Sequence, residues 1–290
     1  MNDLDVFEES RRFLFGLAYR LLGTRAEAED AVQDTYLKWR EADHAAIDVP
    51  RAWLTSVCTR HCIDLMRAAQ RTRVDYVGTW LPEPVELVDD ATPERSVELA
   101  SSLSTAFLLV LERLAPKERA AYLLREIFDM DYPEVAQAIG VQEAACRKLV
   151  SRARAGIAQV RIGHAPPPQR QEQLLGAFRS AIADGTIAPL AALLAEDVVL
   201  SADGGGKVPT LRETLHGRGT VLDFVSGALH DYWSGYEWHG TDLNGGRGAV
   251  LYQAGQAVAA VSFSWDGEGR ASGIYIVRNP DKLARLRLAS

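Results

Sequence analysis

The sequence predicts a multidomain protein in which two all-α domains, the second with a helix-turn-helix, are followed by an α+β domain. Three observations support this fold class. Apolar residues recur at helical spacing almost to residue 160, the prolines within residues 165–168 interrupt that pattern, and short strand-like segments follow. We place the domains at residues 1–76, 97–162 and 169–290, with a proline-containing linker at 77–96.

Helix boundaries are well marked in the first domain. Apolar residues between Phe7 and Leu22 predict a first helix that ends at Gly23, and Thr24 is a suitable N-cap for a second helix. Pro50 predicts the start of a third helix, because proline is accepted in the first helical turn. The first domain is therefore expected to be a bundle of these helices.

The second domain contains a helix-turn-helix pattern. Asp131 and Glu134 form a capping box for a short helix, and Gly140 supplies the turn after it. A second helix is predicted to start two or three residues later. Its inward side is expected to hold Ala145, Cys146, Leu149 and Val150, and its outer side Arg147, Lys148, Ser151, Arg152 and Arg154.

A basic second helix of this kind lies in the DNA major groove, where arginine recognises guanine and lysine or serine contacts phosphates. The alternative is an ordinary helical hairpin with a solvated basic face. The net charge of −7 hides an uneven distribution, because residues 51–73 and 147–161 are predominantly basic and residues 83–98 predominantly acidic. Screening confines each field to about 10 Å, so the sequence predicts two local DNA contacts.

Composition argues against several classes of protein. Three cysteines favour neither a disulfide framework nor a zinc site, and Cys58 and Cys62 are interpreted as small buried residues. No apolar run approaches the roughly 20 residues of a membrane span. The acidic N-terminus also lacks the basic-then-apolar order of a signal peptide. We therefore expect a cytoplasmic protein with no metal, no cofactor and no membrane partner.

The C-terminal domain changes from helices to strands. Helices are predicted at residues 171–185 and 189–197, and strands near Tyr236–Leu243, Gly248–Gln253, Ala257–Trp265 and Ser272–Val277. A sheet curved around an apolar cavity would accommodate a small ligand, although a filled core is equally consistent with the pattern. The glycine run from Asp203 to Lys207 lacks the glycine-to-lysine spacing of a nucleotide-binding P-loop.

Several stretches together resemble one family. LAYRLLGTRAEAEDAVQDTYLKW, VPRAWLTSVCTRHCIDLMR and the block from LAPKERAAYLLREIFDMDYPEVAQAIGV to SRAR are similar to domains 2 and 4 of extracytoplasmic-function (ECF) RNA polymerase sigma factors. Residues 169–290 resemble a SnoaL-like domain, a cone-shaped α+β fold. The sigma subgroup with such an extension carries three short signatures, and this chain contains WLPEP at 80–84, DGGGK at 203–207 and NPDKL at 279–283.

The resemblance implies an alternative sigma factor that binds the β′ clamp and β flap regions of core RNA polymerase and directs initiation at specific promoters. It implies a core-binding helix face formed by Asp30, Gln33, Asp34 and Lys38. Contacts to a CGTC-like −10 element are implied for Arg60, His61, Arg67, Arg71 and Arg73. Contacts to a TGTCA-like −35 element are implied for Arg147, Lys148, Ser151, Arg152 and Arg154. Leu149 stands where the family often has a basic residue, which leaves the individual base contacts open.

The resemblance also implies that the DGGGK loop contacts the WLPEP linker, and our hypothesis is that the C-terminal domain regulates activity in cis through these contacts. Trp80 is the expected apolar anchor, and the prolines beside it would keep the linker extended. An unidentified small ligand of the SnoaL-like domain is a further possible partner. The residues implied for these contacts are Trp80, Leu81, Pro82, Glu83, Pro84, Asp203, Gly204, Gly205, Gly206, Lys207, Asn279, Pro280, Asp281, Lys282 and Leu283.

Two other classes of function stay open at this point. A helix-turn-helix regulator fused to a small-molecule-binding or hydrolase/cyclase-like SnoaL domain would share many of these features, although the core-binding helix argues against it. An enzyme would draw an acid–base pair from Asp203, His216, His230 and His239, but the sequence brings no two of them together. We therefore predict no catalytic residues.

Overall fold

A computed structural model describes residues 3–72, 76–86, 102–158 and 163–286. Two compact units are present. The first combines residues 1–75 with 108–160, and the second combines residues 76–107 with 161–290. Of the residues implied in −10 contact, the side chain of Arg71 and the whole of Arg73 lie outside the described part of the chain.

The first unit begins with the three predicted helices. These are α1 (Asp3–Leu22), α2 (Arg25–Glu41) and α3 (Pro50–Thr72). The left-handed backbone of Gly23 ends α1 at a φ of 79°, and the Thr24 hydroxyl accepts a hydrogen bond from the backbone N–H of Glu27 at 3.3 Å. The predicted boundaries are therefore confirmed. The buried core of these helices includes Phe7, Leu14, Leu17, Leu21, Leu54, Cys58 and Cys62.

Four further helices follow the first three along the chain, and the first of them spans the boundary between the two units at residues 107 and 108. They are α4 (Thr105–Leu111), α5 (Pro116–Tyr122), α6 (Tyr132–Ile139) and α7 (Glu143–Ala158). The end of α5 continues into a wider helical turn over Leu123–Ile127. None of the described helices is long and apolar enough to span a lipid bilayer.

The two helical segments of the first unit share one interior. Arg119 is buried, and its guanidinium donates hydrogen bonds to the carbonyl of Leu21 and to the carboxylate of Glu112, both at 2.7 Å. The Phe13 ring meets the Phe128 ring edge-on, with 4.9 Å between centroids. Helix α3 also packs against α6. The helices predicted as two domains are thus joined in a single compact unit.

The second unit is an α+β fold. Helices α8 (Pro168–Asp184), α9 (Ala188–Leu193), α10 (Arg218–Phe224), α11 (His230–Trp233) and α12 (Pro280–Leu283) accompany one six-stranded sheet. Its strands are β1 (Leu194–Asp203), β2 (Leu215–His216), β3 (Glu237–Leu243), β4 (Gly246–Gln253), β5 (Gln256–Trp265) and β6 (Ala271–Val277), in the order β2-β1-β6-β5-β4-β3. Only the β1–β6 pair among these strands is parallel.

The four predicted strands are confirmed as β3 to β6, but the helix predicted at 189–197 is wrong in its second half. That helix ends at Leu193, and β1 begins at Leu194. The apolar run LAALLA fits a helix or a buried strand equally well, and pairing with β6 at Leu200↔Ile274 decides for the strand. The sequence prediction also omitted β2 and the helices between residues 218 and 233.

One face of the sheet and the helices enclose an aromatic core. The Phe178 ring of α8 meets the rings of Trp238 and Phe263 edge-on, with centroids 6.1 Å and 5.7 Å apart. Trp233 and Trp265 are buried in the same cluster. Residues 259, 261, 263 and 265 of β5 alternate into this core, as the period-two pattern predicts.

Candidate DNA-contact helices and linker junction

The helix-turn-helix has the predicted geometry. The carboxylate of Glu134 accepts a hydrogen bond from the backbone N–H of Asp131 at 3.1 Å, which fixes the start of α6. Gly140 ends α6 in the left-handed conformation, with a φ of 65°. Helix α7 then begins at Glu143 and runs for 16 residues. The turn prediction and the helix boundaries are confirmed.

Helix α7 buries a narrower stripe than the sequence predicts. Cys146, Val150 and Ala153 are buried, whereas Leu149 is half-buried and Ala145 is exposed. The inward assignment of Ala145 is therefore wrong, because residues one position apart on a helix differ by about 100° and the short α6 covers only one stripe. All the implied −35 contact residues are exposed, namely Arg147, Lys148, Ser151, Arg152 and Arg154.

Glutamates neutralise part of the basic face of α7. Arg154 is held by Glu126 through two hydrogen bonds of 2.7 and 3.1 Å, and this hydrogen bonding raises the pKa of Arg154. Arg152 lies 4.0 Å from the carboxylate of Glu118. The sequence interpretation did not include these glutamates, because they come from the preceding helical segment rather than from α7 itself.

Arg60 of α3 lies against the helix-turn-helix. Its guanidinium donates to the carbonyls of Gln137 and Ala138, at 2.6 and 3.1 Å. These carbonyls belong to the last turn of α6, where the helix dipole favours a positive charge. The side chain implied in −10 contact therefore caps α6 within the first unit.

The other described residues of the implied −10 set also have acidic neighbours. His61 lies 3.1 Å from the carboxylate of Asp34, and Arg67 lies 3.1 Å from that of Asp64. Asp34 belongs to the implied core-binding face of α2. All four members of that face are exposed on one side of the helix, namely Asp30, Gln33, Asp34 and Lys38.

The second unit contains a junction between the linker and two loops, with Asp203 at its centre. Asp203 is fully buried at the end of β1. Its Oδ1 accepts hydrogen bonds from the Tyr76 hydroxyl at 2.6 Å and from the backbone N–H of Gly205 at 2.9 Å. Its Oδ2 accepts from the backbone N–H of Leu81 at 2.9 Å. One carboxylate therefore ties the WLPEP linker to the DGGGK loop.

Lys282 supplies the positive charge of this junction. The side chain is 7% exposed, and its ammonium lies 2.7 Å from Asp203 Oδ2 and 2.5 Å from the carbonyl of Leu81. The same ammonium lies 4.5 Å from the centre of the Trp80 ring and 5.4 Å from that of Tyr76. The buried charge is thus compensated by a carboxylate, a carbonyl and two aromatic faces.

Glycine is required in the DGGGK loop for two reasons. Gly205 and Gly206 have φ values of 62° and 70°, which L side chains rarely adopt. A Cβ atom on Gly205 would also lie 2.4 Å from the Asn279 amide nitrogen, and one on Gly204 would lie 2.6 Å from the Val208 carbonyl. The close approach of Asn279 brings the NPDKL signature to the same junction, and its Nδ2 donates to the Tyr76 hydroxyl at 3.2 Å.

The linker is packed along its length from Leu81 to Val85. Leu81, rather than the expected Trp80, is the fully buried apolar anchor, and Trp80 is half-buried over the lysine. Beyond the signature, Glu86 bridges to Leu243 at the end of β3. Pro82, Glu83, Pro84 and Val85 are buried. Tyr76 is the junction residue that the sequence interpretation missed, since it lies outside the signature.

The possible acid–base residues are held at separate places. His216 lies on β2 and His239 on β3, which are opposite edges of the sheet. The Nδ1 atom of His230 is hydrogen-bonded to the carbonyl of Ile182 at 2.5 Å. Asp203 is occupied by the junction. Within the described ranges, no three His, Cys, Asp or Glu side chains form a group that could hold a metal ion.

Comparison with known proteins identifies the class. Sigma-70 region 2 matches residues 6–72, and sigma-70 region 4 matches residues 104–156. Two curated relatives match this chain over nearly its whole length at 30% identity or more. These matches show that the chain belongs to the ECF RNA polymerase sigma factors. It is therefore an alternative sigma factor, whose partners are core RNA polymerase and promoter DNA.

Individual relatives match nearly the whole chain. The chain is 37% identical to the ECF RNA polymerase sigma factor SigJ of Mycobacterium tuberculosis, over 97% of this chain and 93% of that protein. It is 30% identical to the probable ECF RNA polymerase sigma factor SigI of the same species, over 96% and 93%. The crystal structure of M. tuberculosis SigJ matches with a TM-score of 0.75 at 33% identity, covering 97% of this chain and 98% of that one.

Proposed function

We propose that the C-terminal domain of this sigma factor regulates initiation in cis by holding the linker at the Asp203–Lys282 junction. The observation that carries the proposal is the burial of one ion pair, hydrogen-bonded to the linker backbone at Leu81. Residues 76–107 belong to the second unit, yet they connect the two helical segments of the first. Docking of this segment therefore sets how far the two helical segments are able to separate.

Separation matters because of the geometry of a promoter. The −10 and −35 elements are about 25 base pairs apart, which is roughly 85 Å of duplex at 3.4 Å per base pair. In the first unit, α3 packs against α6, and Arg60 is hydrogen-bonded to the end of α6. That closed arrangement does not reach both elements. We infer that initiation requires α3 and α6 to part and that a docked linker opposes this step.

The finer contacts of the sigma factor are part of the same proposal. The exposed face of α2 (Asp30, Gln33, Asp34 and Lys38) binds the β′ clamp, and the helix-turn-helix segment lies near the β flap. Arg60 becomes available to the −10 element once α3 and α6 part, because its present partners are carbonyls of α6. His61 and Arg67 contact the same element, and the exposed basic residues of α7 contact the −35 element. The site of action is the cytoplasm, where the polymerase is found.

We assign the C-terminal domain a regulatory rather than a catalytic role. Asp203 is engaged by Tyr76, Leu81, Gly205 and Lys282, so it has no role as a free base. An unidentified small ligand of the SnoaL-like domain would be one way to change the junction. The competing enzyme hypothesis requires turnover by this domain, for which the separated histidines give no acid–base pair.

A pair of tyrosine variants tests the regulatory proposal. Tyr76→Phe removes only the hydroxyl that bridges Asp203 and Asn279, while Tyr232→Phe removes a hydroxyl from a side chain that is 68% exposed. One hydrogen bond of this kind corresponds to about a two- to tenfold change in the docking equilibrium. With core polymerase and a promoter selected from a random library, we expect Tyr76→Phe to raise transcription by about that factor and to speed proteolysis of the linker.

The control should leave both measurements unchanged. Asp203→Asn weakens the same junction further and should increase both effects. Faster linker proteolysis in Tyr76→Phe and Asp203→Asn, with transcription equal to that of the control, would contradict regulation through the linker.

A further inference from the structure

An acidic residue occupies the first turn of the DNA-facing helix. Glu143 begins α7, and its Oε1 accepts two hydrogen bonds from Arg147, from Nε at 3.1 Å and from Nη2 at 2.6 Å. Both side chains are exposed, at 44% and 57%. A solvated i,i+4 ion pair contributes little to stability, so its position on this face calls for another explanation.

The pair leaves suitable groups free for bases. A guanidinium has five N–H donors, and the two that Glu143 accepts leave the Nη1 hydrogens and one Nη2 hydrogen available. These form the end-on fork that pairs with O6 and N7 of guanine. The second carboxylate oxygen of Glu143, Oε2, has no hydrogen-bond partner among the residues that the structure describes. The pair therefore presents one hydrogen-bond acceptor, Oε2 of Glu143, beside the remaining N–H donors of Arg147.

An aromatic ring holds this arrangement in place. The guanidinium of Arg147 lies 4.1 Å from the centre of the Tyr132 ring, and that of Arg125 lies 5.1 Å from it. Arg125 is itself fixed by a hydrogen bond of 2.8 Å to the carbonyl of Met130. Stacking restricts the plane of Arg147, so less side-chain entropy is lost when the fork meets a base.

An exposed carboxylate on a DNA-facing helix repels phosphates and lowers general affinity. Such a carboxylate is useful where it accepts a hydrogen bond from the N4 amino group of cytosine. Cytosine is the one base that presents only a donor at its major-groove edge. The N-terminal residues of a recognition helix are those that contact base edges. We propose that Glu143 is a specificity-determining residue, which recognises cytosine through Oε2 and positions Arg147 for a guanine at a neighbouring base pair.

This inference rests on the proposed role of α7 as the helix that contacts the −35 element. It is tested with the full chain, core polymerase and a promoter library randomised over the −35 hexamer. Glu143→Gln keeps the shape of the side chain and loses its charge, and Glu237→Gln makes the same change at an exposed position on β3. Glutamine prefers adenine in the major groove.

We expect Glu143→Gln to reduce the preference for cytosine at one position by about five- to hundredfold in favour of adenine, with guanine selection weakened at a neighbouring position. Glu237→Gln should select the same sequences as the unchanged chain. Tyr132→Leu should weaken guanine selection alone, whereas Tyr132→Phe should preserve it. Identical preferences in Glu143→Gln and the unchanged chain would overturn the inference and leave the sigma function intact. Failure of the unchanged chain to prefer any −35 sequence would instead contradict the proposed role of α7.

Discussion

Two ion pairs of nearly equal length occur in the junction of the second unit. Lys282 lies 2.7 Å from Asp203 with both side chains buried, and Lys207 lies 2.6 Å from Asp281 with both exposed. Distance alone would rank them as equals. Removing one partner of a buried pair leaves an uncompensated charge in a low dielectric, whereas water replaces the lost partner at the surface.

The same substitution therefore has different consequences at the two lysines. We expect Lys282→Gln to lower the free energy of unfolding by about 3–5 kcal/mol and Lys207→Gln to lower it by under about 1 kcal/mol. Denaturant unfolding of the full chain measures both values. Equal losses in the two variants would contradict the central place of the Asp203–Lys282 pair.

Single residues were predicted well where a short motif specifies them. The glycines of the DGGGK loop are explained by positive φ values and by the approach of Asn279, and both constraints are local to signature residues. Tyr76 was missed as a junction residue. Its importance comes from a partner that only the folded chain brings near it, the carboxylate of Asp203, which lies 127 positions away.

At the scale of elements, hydrogen bonds join the start of α1 to the end of α2 and to His44, which follows α2. The indole of Trp39 donates to the carbonyl of Asp3 at 2.8 Å. The His44 ring lies between two acceptors, with Nε2 at 2.7 Å from the carbonyl of Trp39 and Nδ1 at 2.8 Å from the carboxylate of Asp3. Both ring nitrogens donate only when the imidazole is protonated, so this arrangement favours the charged form.

The hydrogen bonds of His44 predict how the free energy of unfolding depends on pH. The hydrogen bond to Trp39, followed by the carboxylate of Asp3, raises the pKa of His44 above its usual value of 6.5. A raised folded pKa stabilises the folded chain fully below 6.5 and loses that contribution as pH rises through the folded value. The stability difference between the unchanged chain and His44→Phe should therefore be largest below pH 6.5 and shrink as the pH rises through the raised folded pKa of His44.

NMR titration of His44 checks this prediction independently of unfolding. Asp3→Asn removes the carboxylate and should lower the pKa of His44 relative to that of the unchanged chain. A folded pKa of His44 at or below 6.5, or a stability difference that grows with pH, would contradict the proposed stabilisation by the hydrogen bonds of His44 to Trp39 and Asp3.

Helices with clear caps were predicted to within a residue or two, since Thr24, Pro50 and Gly140 act on the backbone beside them. The start of β1 was not predicted, because the apolar run LAALLA is equally compatible with a helix and with a buried strand. The pairing of β1 with β6, more than 70 residues later, decides between them. Local sequence carries no trace of that partner.

At the scale of the whole molecule, each compact unit is built from two stretches that are separated in the sequence. The helical segments before residue 75 and after residue 108 join in one unit, and the segment between them belongs to the other. The sequence divided the chain into consecutive domains, because periodicity describes each element but not its neighbours in space. The buried Arg119, which donates to the Leu21 carbonyl 98 positions away, makes the difference concrete.

Under the proposed function, this organisation makes separation of α3 and α6 a required step in promoter engagement. Cys58, Cys62 and Cys146 are buried, so cysteines introduced at exposed positions accept fluorescent dyes selectively. Asp64 on α3 and Gln137 on α6 are exposed and suit this purpose. The doubly labelled chain must first support transcription with core polymerase, which confirms that the dyes leave its function intact.

Energy transfer between these two dyes is the most direct test of a chain that is closed when free and open on the polymerase. Transfer should be efficient in the free chain, where α3 packs against α6, and should fall sharply when core polymerase and promoter DNA are added. Unchanged, efficient transfer in a complex that initiates transcription would contradict the opening of α3 from α6.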